Sequence, residues 1–302
     1  MVRGCRGLGV VPRGWRCVMR GTRIAGSLVA AMAMIGGMGL TGCGGSSGES
    51  AGQSSGGPPF RVTSSVVSGE NTQEIGVWAP DAEGGWPVVF GFHGLGAGKE
   101  GWDVLATELA RQGVVVFVPD YRSTGSELDI KKDLVCADQY AASVAADYGA
   151  DPDQPWTIVG HSLGASIVLG EREQVLQGTG GALDPCIEGW PDTDAVVAME
   201  GCYYDSPGDP ISDIPMPGAG IPVTLVAGEK DDTCPAWQSE NAARALEEAG
   251  YDVTLVTIPG GTHGTPLFFD PSQDPWAQLP SDDPGGQATV AAILAAIESA
   301  QS

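Results

Sequence analysis

The feature that most constrains this chain is a recurring pair of patterns: a short apolar run, then an amphipathic stretch. The runs are "EIGVWA" (Glu74 to Ala79), "PVVFGF" (Pro87 to Phe92), "VVVFVP" (Val114 to Pro119), "WTIVG" (Trp156 to Gly160), "AVVAME" (Ala195 to Glu200), "PVTLVAG" (Pro222 to Gly228) and "VTLVTIP" (Val253 to Pro259). Several are almost continuously apolar, as strands buried on both faces of a parallel sheet should be. Helical patterns separate them: "GWDVLATELARQG", "LVCADQYAASVAADYG", "LGASIVLGEREQVL", "SENAARALEEAG" and the terminal "QATVAAILAAIESA". Strand and helix therefore alternate from residue 87 onward. This predicts an α/β fold, a mostly parallel open sheet with helices on both faces. The preceding "FRVTSSVVSGENTQEIGVWAP" reads as an antiparallel edge hairpin. One large domain is expected over residues 60–302. Within it, the interval Gly178 to Gly220 is rich in Gly, Pro and Asp and reads as loops around a site.

The first 42 residues belong to a different kind of sequence. They hold six Arg and no acidic residue, and Ile24 to Leu40 is an uncharged run of small and apolar residues. A basic flank followed by an apolar core reads as a secretory signal. As a permanent membrane span the run is short and rich in Gly and Ala. Translation starting at Met19 would give the signal a flank of more ordinary length. "LTGC", Leu40 to Cys43, resembles the bacterial lipobox. That resemblance implies an acylated Cys43 (palmitate or a similar chain) as the mature N-terminus, an exported lipoprotein of the cell envelope, and the lipid bilayer as a partner. Ordinary cleaved secretion is the competing reading. Residues 43–59, "CGGSSGESAGQSSGGPP", would form a flexible spacer.

Charge excludes one class of partner. Six of the 15 basic residues lie in the signal, which leaves 9 against 38 acidic residues from Cys43 onward. Nucleic-acid binding requires a basic face, so none is expected. Beyond Cys43 four cysteines remain: Cys136, Cys186, Cys202 and Cys234. An exported compartment permits disulfides among them, in any of three pairings. No close CxxC pair is present, which argues against zinc.

The chemistry centres on "WTIVGHSLGASIVLG", Trp156 to Gly170. The pattern G-x-S-x-G also occurs at Gly44 to Gly48, Gly48 to Gly52 and Gly52 to Gly56, all in the spacer. Only Gly160 to Gly164 follows a strand and opens a helix, the setting of a nucleophile elbow. Ser162 is the candidate nucleophile; as a bland alternative it is a helix cap. A serine needs a base. The chain has three histidines, His93, His161 and His263. His161 adjoins Ser162 on the turn and is expected to pack or bond within the fold. His93 and His263 both follow strands, and only His263 comes after the serine. For the orienting acid, Asp231 in "AGEKDD" is favoured, with Asp232 and Glu229 as neighbours and Glu200 or Asp205 as an earlier position.

With "FHGLG", "GHSLG", "AGEKDD" and "PGGTH" each following a strand in that order, residues 70 to 300 resemble the α/β-hydrolase superfamily, above all its dienelactone-hydrolase-like and cutinase/lipase-like esterases. The resemblance implies Ser162 as nucleophile, His263 as base and Asp231 as acid. It implies backbone N–H donors from Leu163 and Leu95 in an oxyanion hole, with His93 and Gly94 supporting the loop. It implies a serine ester hydrolase that needs neither cofactor nor metal and takes an ester substrate. Serine in place of cysteine argues against dienelactone turnover, and Ala165 stands where many polyester-hydrolysing and lipase members have a further Gly. Asp120 and Arg122 in "PDYRSTG" read as structural. Trp190, Tyr203, Tyr204 and Trp237 are candidates either for an apolar cleft or for core packing. A serine peptidase of the same fold and a non-catalytic envelope binding protein are the alternative functions.

Overall fold

The computed structural model describes residues 57–68, 71–124, 127–169, 192–203, 220–272 and 277–301. The expected signal, Cys43 and most of the spacer lie outside the described residues, as do Cys186, Trp190, Tyr204 and Asp205. Among the described residues, no helix is long and apolar enough to cross a membrane.

Eight strands form one sheet: β1 (Gly57–Ser68), β2 (Asn71–Asp81), β3 (Val88–Phe92), β4 (Val115–Pro119), β5 (Trp156–His161), β6 (Ala195–Met199), β7 (Val223–Gly228) and β8 (Val253–Ile258). Their spatial order is β1-β2-β4-β3-β5-β6-β7-β8. β2 runs antiparallel to both β1 and β4, and every pair from β4 to β8 is parallel. The edge hairpin and the parallel body are thus as the sequence predicts. The hairpin starts earlier, because Gly57–Ser68 takes in the last three residues assigned to the spacer.

Side chains alternate between two cores, one on each face of the sheet. On β3, Phe90 and Phe92 enter one core with Phe117, Trp156 and Leu225, whereas Val89 enters the other with Val116, Val159 and Val226. This is the two-residue period of a strand. Because both faces are covered, the strand has no polar face to show, and its sequence is apolar throughout. β8 is the exception. It lies at the sheet edge, and much of it is exposed despite an apolar sequence like that of its neighbours.

Helices cover both faces. α1 (Asp103–Arg111) and α5 (Pro284–Ala300) pack Leu105, Leu109, Ile293 and Ile297 into the Val89 core. α2 (Glu127–Val144), α3 (Leu163–Val168) and α4 (Trp237–Glu248) pack Leu134, Ala137, Val168, Ala242 and Leu246 into the Phe90 core. Each Leu, Ile or Val among these contributes roughly 1.5–3 kcal/mol on burial, and the alanines less. α5 starts sharply because Pro284 sits in its first turn and the Asp283 carboxylate accepts the N–H groups of Gly285 and Gly286 at 2.9 and 3.0 Å. α2 begins seven residues before the apolar pattern that marks it in the sequence. Its first turns, "ELDIKKD", are mostly charged and carry little apolar periodicity.

Two features serve the site directly. β3, β5, β6, β7 and β8 are parallel, so their carboxyl ends open on the same side of the sheet, where α/β folds gather ligands. The turn after β7 and the turn after β8 are also stitched together. Glu229 N–H donates to Ile258, Lys230 N–H to Gly261, and Gly260 N–H to the Glu229 carboxylate, at 3.0, 2.7 and 2.8 Å.

Candidate active site

Ser162 stands between β5 and α3 with φ 56° and ψ −117°. A non-glycine residue held at positive φ is strained and persists only where its surroundings enforce it. Here they do. A Cβ on Gly160 would lie 2.2 Å from the carbonyl oxygen of Gly164, and a Cβ on Gly164 would lie 2.2 Å from that of Phe92. Both glycines are required because strand, turn and helix press together at these points. Ser162 N–H is fixed to the Met199 carbonyl at 2.9 Å, tying the turn to the end of β6.

His263, in the turn after β8, points its Nε2 at Ser162 Oγ, 3.0 Å away. Its Nδ1 donates to Asp231 Oδ2 at 2.8 Å. Asp231 is buried just past β7, and its other oxygen accepts the N–H groups of Thr233 and Cys234 at 2.8 and 2.9 Å. Those bonds fix the orientation of the carboxyl beside His263. The structure thus brings together Ser162, His263 and Asp231, from three separate strand ends. Asp232 and Glu229 are exposed, and Glu229 takes the Gly260 N–H. An inert binding protein would have no reason to keep Ser162 and His263 in hydrogen-bond contact.

The other two histidines are buried and do not reach the serine as bases. His161 Nε2 donates to the backbone carbonyl of His263 at 3.0 Å and lies 3.2 Å from Glu200 Oε2. A carbonyl only accepts, so this nitrogen carries the proton of a neutral ring. Burial, and then the neighbouring charge of His263, push the His161 pKa down to about 3. His93 stacks on Tyr121 with ring centres 4.1 Å apart, and its Nδ1 donates to the Gly94 carbonyl at 2.9 Å. Burial lowers its pKa. Gly94 lies against the nucleophile, since a Cβ there would be 3.1 Å from the Cβ of Ser162. Leu95 is 67% exposed beside it.

Glu200 directly follows β6, with φ 52°, and is 1% exposed. Its Oε2 is 3.9 Å from His263 Nδ1, close to the acid position but beyond hydrogen-bond length. Burial first, then the negative charge of Asp231, hold its pKa well above the usual carboxyl range. Sequence reading admits Glu200 only as a substitute for Asp231. It does not anticipate both carboxyls beside one imidazole. The one signal was an acidic residue closing an otherwise apolar run, "AVVAME".

The remaining candidates fall outside this constellation. Asp120 accepts the backbone N–H and the ammonium of buried Lys99, and Arg122 grips buried Asp133 with two bonds of 2.7 and 2.8 Å. Both are structural, as expected. Tyr203 packs against the Phe90 core, and its N–H donates to Gln238 at 2.6 Å. Cys202, after β6, forms a disulfide with Cys234, after β7. Cys136 in α2 is also disulfide-bonded. Among the described residues, His161, Glu200 and His263 offer ligand atoms within 4.8 Å of one another. A cation there would compete with the hydrogen bonds that orient His263, so these atoms are better matched to each other than to a metal.

Residues 88–219 match the sequence model of the alpha/beta hydrolase family. No curated protein matches the chain in sequence. Three solved structures illustrate the structural likeness. An esterase of Pyrobaculum calidifontis superposes with a TM-score of 0.59 at 17% identity, covering 80% of this chain and 85% of its own. Brefeldin A esterase, a bacterial homologue of human hormone-sensitive lipase, gives 0.58 at 17%, covering 81% and 78%. Vibralactone cyclase gives 0.58 at 15%, covering 81% and 82%. With its strand order, its partial family match and its structural likenesses, the chain has the α/β-hydrolase fold.

Proposed function

We propose that this protein is a serine carboxylic-ester hydrolase working through an acyl-enzyme. The observation that carries the reading is the relay from Ser162 Oγ through His263 to Asp231, at 3.0 and 2.8 Å. His263 takes the hydroxyl proton as Ser162 attacks the ester carbonyl. The backbone N–H groups of Leu163 and Leu95 hold the oxyanion that forms. His263, charged and steadied by Asp231, returns the proton to the leaving alcohol. Water then attacks the acyl-enzyme by the same route, releasing the acid and restoring Ser162. Small to medium esters, or lipid- and polyester-like ones, are the proposed substrates. The acidic character of the chain weighs against strongly anionic esters. The esterases among structures of like fold agree with this reading, and the cyclase among them warns that the fold alone does not choose the reaction.

The test is a panel of p-nitrophenyl esters of rising acyl length, run with a serine-directed fluorophosphonate. Ser162→Ala should abolish labelling and lower turnover by roughly 10⁴- to 10⁶-fold, with His263→Ala close behind. His93→Ala should cost less. Full turnover by Ser162→Ala would refute the assignment, and preference for peptides in a parallel panel would make the protein a peptidase. Acylation of Cys43 and anchoring at the cell envelope are part of the same proposal. Cys43→Ala should stop incorporation of an alkyne-tagged palmitate and release the protein from the membrane fraction.

A further inference from the structure

We propose that Glu200 is a second positioning acid of this site, able to take the His263 Nδ1 proton bond when Asp231 is lost. This rests on the acyl-transfer reading above. Three local features converge on the same carboxyl. Its residue is held at φ 52°, a strained conformation for any side chain but glycine. Its side chain is buried in a position where a carboxyl is costly. Its Oε1 sits against the backbone of Gly228 without a well-formed hydrogen bond, in space that exists only because residue 228 has no Cβ; one there would lie 2.6 Å from Oε1. A carboxyl needed only to fill volume would be better replaced by an apolar side chain.

The geometry says what the group can do. Oε2 lies 3.9 Å from His263 Nδ1, so a shift of about 1 Å would bring it into hydrogen-bond range. Asp231 occupies that position in the intact site, held there by two backbone N–H donors. Burial, and then the charge of Asp231, favour the neutral form of Glu200 there. The titratable groups that face Glu200 among the described residues are His161 from the end of β5, Asp231 from the turn after β7 and His263 from the turn after β8. With Asp231 removed, the main negative neighbour disappears and space opens toward Nδ1. Glu200 can then release its proton to solvent and accept the Nδ1–H bond as a carboxylate. The proton that moves between Ser162 and His263 is unchanged. Meanwhile His161 Nε2 bridges Glu200 and the His263 carbonyl, so the backbone of the base stays tied to the acid in either state.

The experiment reads fluorophosphonate labelling of Ser162 across pH 6 to 9.5, which needs no knowledge of the natural ester. Asp231→Ala should label at least 100-fold faster at pH 9 than Asp231→Ala combined with Glu200→Gln. The gap should narrow as pH falls, because the proposed rescue needs the ionised form of Glu200. A merely structural Glu200 would alter melting temperature in both backgrounds without creating a pH-dependent gap. Equal labelling by the single and double variants at every pH overturns the proposal. Should Asp231→Ala fail to fold, Asp231→Ser keeps an acceptor for the Thr233 and Cys234 N–H groups while falling short of Nδ1, and the same comparison applies. If the unaltered protein does not label at Ser162, the hydrolase reading itself fails. That outcome is distinct from a labelled protein whose single and double variants agree.

Discussion

Replacing His161 with Gln should make the protein markedly more tolerant of acid. In the fold His161 is neutral, with a pKa pushed down to about 3 from an ordinary value of 6.5. A folded pKa below the unfolded one means that stability is fully present above pH 6.5 and is lost as pH falls from 6.5 through about 3. At pH 5 the unfolded chain is nearly fully protonated at this position and the folded chain is not. The linkage then removes about 2 kcal/mol, rising to roughly 4–5 kcal/mol below pH 3. Gln has no charge to gain, and its amide N–H can still donate toward the His263 carbonyl. The assay is urea unfolding at pH 7.5 and pH 5.0 for both proteins. Glu200 shifts in the opposite sense, its stabilisation lost as pH rises above 4.5, and because it touches His161 the comparison is repeated with Glu200→Gln in both proteins, which removes its contribution. The starting stability of His161→Gln at pH 7.5 does not enter the comparison; what matters is the change between the two pH values. The unaltered protein should lose about 2 kcal/mol more than the variant, or about 4–8 °C in Tm for a domain of this size. Identical losses in the two proteins would refute the reasoning that places a neutral, proton-excluding imidazole behind the base.

Two further outcomes follow from the packing of the turns. Gly228→Ala would put a Cβ 2.7 Å from the Gly261 carbonyl oxygen as well as against Glu200, and backbone cannot step aside cheaply. It should lower stability by about 1–3 kcal/mol and slow phosphonate labelling, because it pries apart the turns that carry Asp231 and His263; unchanged Tm and labelling would count against this account. Opening the Cys202–Cys234 bridge by double substitution to Ser releases a loop of 32 residues and should cost about 3–4 kcal/mol in the chain-entropy treatment. Because the Cys234 N–H also holds Asp231, turnover should fall together with the melting temperature; a loss of stability with full activity at 25 °C would show that Asp231 does not depend on the bridge.

Much of the architecture was legible in the sequence for a simple reason. Strands covered on both faces must be largely apolar, so β3 to β7 announce themselves, and the helices between them show one apolar stripe each. The elbow was legible because Gly160 and Gly164 are demanded by contacts within one local turn. Where apolar patterning was weak, the reading slipped: α2 begins in a charged stretch, and β1 begins inside what reads as a spacer. β8 shows the opposite ambiguity, since its apolar sequence gives no hint that it lies exposed at the edge.

By itself, then, the sequence determined the alternation of strand and helix, the strained turn at Ser162 and the order in which chemical groups follow it along the chain. These depend on neighbours a few residues apart. Only the tertiary structure decided that Asp231 rather than Asp232 or Glu229 meets His263, that His161 serves the backbone of the base, and that Glu200 lies within 4 Å of the same imidazole. Those relations join residues 32 to 102 positions apart, and they exist only because parallel strands deliver their carboxyl ends to one side of the sheet.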